Sequence, residues 1–208
     1  TDAVILAIGH SARDTVEMLY KNGAQIIQKP FSVGARIEHP QKLIDKAQYG
    51  AFAGHPKLGA ADYKLSCHGL HQRGAYTFCM CPGGTVVAAA SEKGGVIVNG
   101  MSTLARDGEN ANSALLVGID PVDFPSEHPL AGMYYQREIE QNAFALGGGD
   151  YRAPAQLVGD FLADRESRAL GNVQPTCPTG VTLTNLRYCL PDKVRTTMQA
   201  AITEMDKR

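Results

Sequence analysis

AYTFCMCPGGTVVAAA, residues 75–90, decides the fold of this chain. Two short runs rich in β-branched and aromatic residues, Ala75–Cys79 and Thr85–Ala90, flank the segment Cys81–Gly84. Adjacent proline and glycine residues favour a tight turn. The stretch therefore predicts two strands joined by a hairpin turn, which is the local unit of an antiparallel sheet.

Similar short runs, separated by glycine and proline, continue on both sides of this stretch. They are Ile26–Gln28, Ser32–Ile37, Tyr63–Ser66, Val96–Asn99 and Ala114–Ile119. Their spacing predicts an antiparallel sheet or a small barrel over residues 25–120. The glycine-rich segment Gly50–Ala60 is a predicted surface loop.

Beyond residue 120 the apolar residues recur at helical spacing. The predicted helices there are Met133–Phe144, Leu157–Leu162 and Pro191–Met205. A further helix is expected to begin at Pro40. The fold class is therefore α+β, with a β-rich subdomain at residues 25–120 and a mainly helical one at residues 121–208.

The chain begins with a short apolar run, Val4–Ile8, of the kind that a buried parallel strand shows. Gly9 and His10 break this run, and Ser11 can cap the helix that follows. Residues 1–24 therefore form a predicted strand-turn-helix unit. Because a parallel strand needs neighbours on both sides, we expect further chain to precede Thr1.

Composition excludes several classes of function. Lys and Arg total 20 against 21 Asp and Glu, so neither nucleic acid nor an anionic membrane is an expected partner. No apolar stretch approaches the roughly 20 residues that cross a bilayer. Five cysteines cannot all pair, which favours reduced thiols and a cytoplasmic protein. The sequence carries no G-x-G-x-x-G motif, which would bind the phosphates of a dinucleotide. Cys67, His68 and His71 lack a fourth ligand, so we predict no metal site.

Cys79 and Cys81 are the densest chemical signal. Residues two apart in a strand share a face, so both thiols should point the same way if the strand reaches Cys81. They could form a redox centre beside the glycine-rich turn, or simply be buried structural thiols. The polar segment Arg106–Asn112 is either a loop that orients a polar ligand or an ordinary solvated loop.

The segment Gly9–Arg13 comes within one residue of the G-x-S-x-G motif of serine hydrolases. Arg13 stands where that motif has a small residue, so Ser11 is either a nucleophile, with His39 or His128 as its base, or an ordinary helix cap. A non-catalytic interaction module is a third interpretation.

Six blocks of the sequence resemble a family of FAD-dependent, or NAD/FAD-utilising, dehydrogenases. They are VILAIGHSARD (4–14), FSVGARIEHPQ (31–41), YTFCMCPGG (76–84), VAAASEKGGVIVNGM (87–101), ARDGENANSALL (105–116) and ALGGGDYRAPAQLVGDF (145–161). The resemblance covers most of the 208 residues.

This resemblance implies an FAD-binding fold of the glutathione-reductase type, split by an inserted substrate domain. The chain is similar to that inserted domain and is expected to be catalytically incomplete alone. FAD is implied in the full-length protein but is not expected to be retained by this chain, and NADH or NADPH is an implied electron donor. The implied partners are the FAD-binding portions of the same polypeptide and a small-molecule substrate.

The resemblance and the chemistry together give three sets of predicted site residues. The predicted cofactor-binding residues are Ala7, Ile8, Gly9, His10 and Ser11. The predicted catalytic residues are Cys79, Cys81 and Arg106. The predicted substrate-cleft residues are Pro82, Gly83, Gly84, Asp107, Asn110 and Asn112.

Overall fold

A computed structural model describes residues 3–207 of the chain. The helices are α1 (Arg13–Lys21), α2 (Gln41–Tyr49), α3 (Ala131–Gly147), α4 (Val158–Leu162) and α5 (Asp192–Met205). The strands are β1 (Phe31–Pro40), β2 (Ser66–Leu70), β3 (Arg73–Cys81), β4 (Gly84–Ala88), β5 (Val98–Ser102), β6 (Asn110–Ile119), β7 (Ala153–Ala155) and β8 (Val181–Leu183). No helix in this part of the chain is long and apolar enough to cross a membrane.

The main sheet has four antiparallel strands in the order β1-β6-β3-β2. Strand β6 lies at its centre, with Ala114 paired to Arg36 of β1 on one side and to Phe78 of β3 on the other. Strands β4 and β5 form a separate antiparallel pair, and β7 and β8 a short parallel one. The α+β prediction is confirmed, and the β-rich part is a sheet rather than a barrel.

One face of the main sheet carries the hydrophobic core. Leu115, Val117 and Val33 alternate with residues of the other face, as period-2 strands require. Helix α5 packs on this face with a stripe that includes Val194 and Met198, both nearly inaccessible to solvent. The helical second half of the sequence therefore shares one core with the sheet. The division into segments 1–24, 25–120 and 121–208 stays a prediction.

The opposite face of the main sheet is only partly covered. At one end the β4–β5 pair lies close against it, since a Cβ on Gly100 of β5 would come within 2.2 Å of atoms of both Arg36 and Asn112. At the other end Phe78 is 55% exposed. This face therefore offers an open surface beside a covered one.

The turn at Cys81–Gly84 is found where it was predicted, but it does not close a hairpin. Strand β4 pairs with β5, whereas β3 pairs with β2 and β6. The turn therefore carries the chain from one sheet to the other. Sequence pattern locates such a turn but does not reveal which strand each neighbour will pair with.

Several local predictions near the N-terminus are wrong. Val4–Ile8 forms no strand, and Ile5 is 93% exposed, because no other described strand lies beside this segment. Ala12, not Ser11, occupies the cap position of α1. Ile26–Gln28 also forms no strand, because no described strand pairs with its backbone; the Gln28 side chain instead donates to the carbonyls of Ser126 and His128. Of the predicted strand Tyr63–Ser66, only Ser66 belongs to β2.

Candidate functional site

The turn after β3 meets the loop between β5 and β6, which brings together residues that lie 25 positions apart in sequence. The Gly108 N–H donates to the Gly83 carbonyl at 3.2 Å. A Cβ on Gly83 would lie 2.0 Å from the carbonyl oxygen of Arg106, and Gly83 has φ +51°. Only glycine meets both conditions without strain. The structure thus joins the predicted residues Pro82, Gly83 and Gly84 to Arg106 and Asp107.

Gln41, the first residue of α2, fixes the position of this turn. Its buried side chain accepts a hydrogen bond from the Gly83 N–H at 2.7 Å and donates to Asp45 and to the Ala61 carbonyl. A buried amide whose oxygen and nitrogen are both bonded is held in one orientation. Nothing in the sequence pattern singles out Gln41, because its partners come from three separate segments.

Arg36 of β1, which was not predicted as a site residue, contacts Asn112, Cys79 and Cys81. These four residues are called the Arg36 cluster below. The Arg36 guanidinium donates from Nε to Asn112 Oδ1 at 2.7 Å and from Nη2 to the Cys79 carbonyl at 2.6 Å. The same Nη2 lies 3.5 Å from the Cys81 Sγ. Burial lowers the pKa of Arg36, and the Coulombic influence of both thiols opposes this shift. Within residues 3–207, no carboxylate lies at salt-bridge distance from this guanidinium.

Asn110 and Asn112 lie in strand β6, so the prediction that places them in a loop, whether ligand-orienting or solvated, is wrong for these two residues. Asn110 donates to the Gln174 carbonyl at 2.8 Å and helps to hold that loop in place. Asn112 is fully buried, and its Nδ2 atom has no hydrogen-bond partner among the described residues. A buried donor without an acceptor is costly, so Asn112 carries unsatisfied hydrogen-bonding capacity next to Arg36.

Cys79 and Cys81 do not share a face, contrary to the prediction from alternation. The pairing of β3 with β6 shifts register between Phe78 and Cys81, which is a β-bulge, and Cys79 has φ +46°. Cys79 is exposed and Cys81 is buried. Both are free thiols, and Cys81 Sγ lies 3.3 Å from the Cys79 carbonyl oxygen. The bulge thus turns that carbonyl, rather than the Cys79 thiol, towards Arg36.

The predicted cofactor-binding segment, residues 7–11, lies at the other end of the β4–β5 pair. Ser91, in the loop between those strands, donates to Ser11 Oγ at 2.9 Å, whereas Gly84 and Ser102 form the opposite end of the pair. The five paired positions span roughly 13 Å. Gly100, whose backbone lies against Arg36, is the middle position of β5, so the Arg36 cluster and the contact between Ser11 and Ser91 lie at different places along the same strand pair.

The first turn of α1 does not fit the pyrophosphate of a dinucleotide. Anion sites at helix N-termini need free N–H groups and no opposing charge. Here Asp14 brings a carboxylate into the first turn, and it already accepts the Thr15 N–H at 2.7 Å. Residues 3–207 therefore do not offer a dinucleotide pyrophosphate site at this turn.

A salt-bridge network anchors α1 to α3. Arg13, 3% exposed, donates to Glu140 at 2.7 and 2.9 Å and to Glu92 at 2.5 Å. Arg137 bonds both Glu92 and Glu17. Hydrogen bonds from Arg137 first, and then from Arg13, lower the pKa of Glu92 to about 2. Arg13, which breaks the hydrolase motif, is thus a buried structural residue.

The structure does not support a serine hydrolase. His39 is bonded through Nε2 to the Tyr63 hydroxyl at 2.8 Å, and burial lowers its pKa. His128 packs between the rings of Tyr20 and Tyr134, and its Nδ1 accepts the Leu130 N–H. Neither imidazole is bonded to Ser11. Among residues 3–207, no three His, Cys, Asp or Glu side chains are grouped as metal ligands would be.

Comparison with known proteins matches most of the chain to one family. Residues 30–208 match the family model described as "FAD-dependent protein, C-terminal domain-like". The chain belongs to this family. A Clostridium beijerinckii protein, itself uncharacterised, is 53% identical over all 208 residues. The chain spans 39% of the length of that relative. The matched region begins one residue before β1, so it contains every element of the Arg36 cluster but not the segment 7–11.

Proposed function

We propose that this chain is the substrate-side domain of an FAD-dependent oxidoreductase. In this proposal the surface around Arg36, the turn Cys81–Gly84 and the loop at Arg106 form one wall of the substrate cleft. The FAD-binding portions of the same polypeptide form the other wall and hold the dinucleotide. The family supports an FAD-dependent protein, and the hydride-transfer reaction is the proposed activity.

The observation that carries the proposal is the unpaired cation at Arg36. A guanidinium taken partly out of water is normally neutralised by a carboxylate, because isolated buried charge is expensive. Here Asn112, the Cys79 carbonyl and the backbone at Gly100 hold the guanidinium, and Phe78 on the same face of the sheet is 55% exposed. Rigid support of an uncompensated charge beside an open surface is typical of a ligand-binding site.

Two concavities of the described residues lie away from Arg36. One of about 300 Å³ is bordered by Phe31 and Arg73, and one of about 520 Å³ by Tyr49 and Phe52. Neither includes a predicted site residue. Since pockets commonly form between domains, the proposal requires a second wall from the rest of the polypeptide.

Within this proposal the residues have distinct roles. Arg36 binds the substrate, and Cys81 supports its guanidinium from the buried side. Cys79 and Arg106 are the exposed members of the predicted catalytic set, and their contact with the flavin stays a proposal. Residues 7–11 are the proposed contact to the cofactor at the other end of the β4–β5 pair. NADH or NADPH is the proposed electron donor.

The test uses the full-length polypeptide that contains this chain. It should retain visible flavin absorbance after purification, and R106Q and C79S should change the shape of the flavin band, since neighbouring polar groups tune the electronics of the ring. The matched control is R168Q, because the Arg168 side chain is 87% exposed. Absence of flavin, or a flavin band identical in all variants, would contradict the proposal. Anaerobic mixing with NADH and with NADPH then identifies the electron donor.

A further inference from the structure

Arg36 differs from the other arginines whose side chains are mostly buried. Arg13, Arg73, Arg137 and Arg195 each have at least one carboxylate within 4.0 Å. Arg36 instead bonds an amide oxygen and a backbone carbonyl, and residues 3–207 give it no anionic partner. Arg36 therefore has no carboxylate within salt-bridge distance in residues 3–207.

Hydrogen-bond donors around Arg36 outnumber the acceptors. The Nη1 group of Arg36 has no partner in the described region and is not among the inaccessible unpaired atoms, so solvent reaches it. Asn112 Nδ2 is a second donor without an acceptor, on a side chain that is completely buried. Glu38, on the same face of β1, is already occupied by Thr176. Because Asn112 Nδ2 is inaccessible, Nη1 of Arg36 is the donor that a ligand can reach, and a cationic donor favours an anionic ligand.

The face of the sheet next to Arg36 leads to an exposed aromatic ring. Arg36, Ala114 and Phe78 form one row across β1, β6 and β3. Strands lie about 4.8 Å apart, so the Cα atoms of Arg36 and Phe78 are roughly 10 Å apart. Ala114 between them is only 8% exposed, and the Phe78 ring on the far side is 55% exposed. The row therefore combines a cation at one end with an aromatic ring at the other.

We propose that this row binds an organic carboxylate, with the carboxylate on the Nη1 edge of Arg36 and the apolar part against the exposed Phe78 ring. This inference rests on the proposed function, since it names the substrate class of the same cleft. Arginine suits such a ligand because its planar guanidinium matches carboxylate geometry. The Nη2 group is already bonded to the Cys79 carbonyl, so Nη1 is the group left to bind.

The experiment titrates the purified 208-residue chain with benzoate and follows backbone amide resonances by NMR. Benzoate should shift the amides of residues 78–84, 99–101 and 112–116. Benzamide has the same shape without the charge, and acetate has the charge without the ring. Both should bind at least tenfold more weakly than benzoate, because each lacks one of the two interactions.

Variants separate this site from unspecific anion binding. R36Q should weaken benzoate at least tenfold, R36K should weaken it less, and the exposed control R168Q should have no effect. F78A should weaken benzoate but not acetate. Should R36Q fail to fold, the comparison of benzoate with benzamide and the F78A result still decide. Equal binding of benzoate and benzamide, or benzoate shifts that F78A and R36Q leave unchanged, would overturn the inference.

The outcome is distinguishable from that of the proposed function. A full-length polypeptide that retains flavin while the chain ignores benzoate refutes only the carboxylate site. A chain that binds benzoate through Arg36 within a polypeptide that never holds flavin refutes only the oxidoreductase.

Discussion

Replacement of Gly83 by alanine tests the close packing of the two loops that build the site. Gly83 has φ +51°, and an added Cβ would lie 2.0 Å from the Arg106 carbonyl oxygen and 2.8 Å from the Asp107 nitrogen. These neighbours are backbone atoms and cannot rotate away. The loop must therefore move by more than 1 Å, which breaks the hydrogen bond between Gly108 N–H and the Gly83 carbonyl.

Gly94→Ala is the matched control. Gly94 has φ +75°, so alanine is strained there too, but its Cβ would meet nothing within 4 Å. The left-handed backbone alone costs about 1–2 kcal/mol in both variants. Gly83→Ala adds a lost hydrogen bond and the displacement of a packed loop, so its total loss should be about 3–4 kcal/mol.

Urea titration and thermal melting, both followed by circular dichroism, measure the free energy of unfolding and the Tm of both variants. For a chain of this size, the expected difference of about 2 kcal/mol corresponds to a Tm roughly 4–8 °C lower for Gly83→Ala than for Gly94→Ala. If the two variants lose equal stability, the contact between the turn and the Arg106 loop is absent, and the reasoning that assembles the site is refuted.

Three further predictions concern single residues. Gln41→Ala should lower the free energy of unfolding by about 2–3 kcal/mol, because it leaves the Gly83 N–H unpaired, whereas Lys42→Ala on the exposed side of α2 should change it by less than about 0.5 kcal/mol. Glu92, whose pKa is lowered from 4.5 to about 2, should stabilise the fold above pH 4.5 and lose that contribution as the pH falls towards 2. The free energy of unfolding of Glu92→Gln, measured by urea titration, should therefore be about 1 kcal/mol lower at neutral pH and less dependent on acid. Of the five thiols, all in the described region, Cys79 is the exposed one and should account for the fast phase of reaction with a disulfide reagent, which Cys79→Ser removes.

Each of these predictions has a clear contrary result. Equal stability of the Gln41 and Lys42 variants would mean that the amide does not hold the turn. An acid transition unchanged by Glu92→Gln would place the ion pair outside the folding equilibrium. A fast thiol phase that persists in Cys79→Ser would mean that the bulge leaves another cysteine accessible.

Patterns that depend on neighbours in sequence were predicted well. The strands around residues 75–79, 85–90 and 114–119 and the C-terminal helix follow from period-2 and period-3.6 spacing, which the local backbone imposes. The turn at Pro82 and Gly83 follows from residue types that few other conformations accept. The α+β class needed nothing beyond these signals.

Predictions that needed a partner distant in sequence failed or were missed. Val4–Ile8 has the composition of a buried strand, but a strand exists only where another strand accepts its hydrogen bonds. The thiols of the C-x-C pair were expected on one face, yet a bulge, which depends on how β3 pairs with β6, separates them. Arg36 carries no local signal because its partners lie 43 to 76 residues away.

The sequence by itself determined the secondary-structure classes, the position of the turn and, through its resemblance, the family. Only the tertiary structure decided which residues lie around Arg36. Backbone propensity acts over a few residues, whereas the lack of a carboxylate within salt-bridge distance of Arg36 depends on everything packed around it in residues 3–207. The arrangement of strands β1, β3, β5 and β6 in space sets which groups reach the guanidinium.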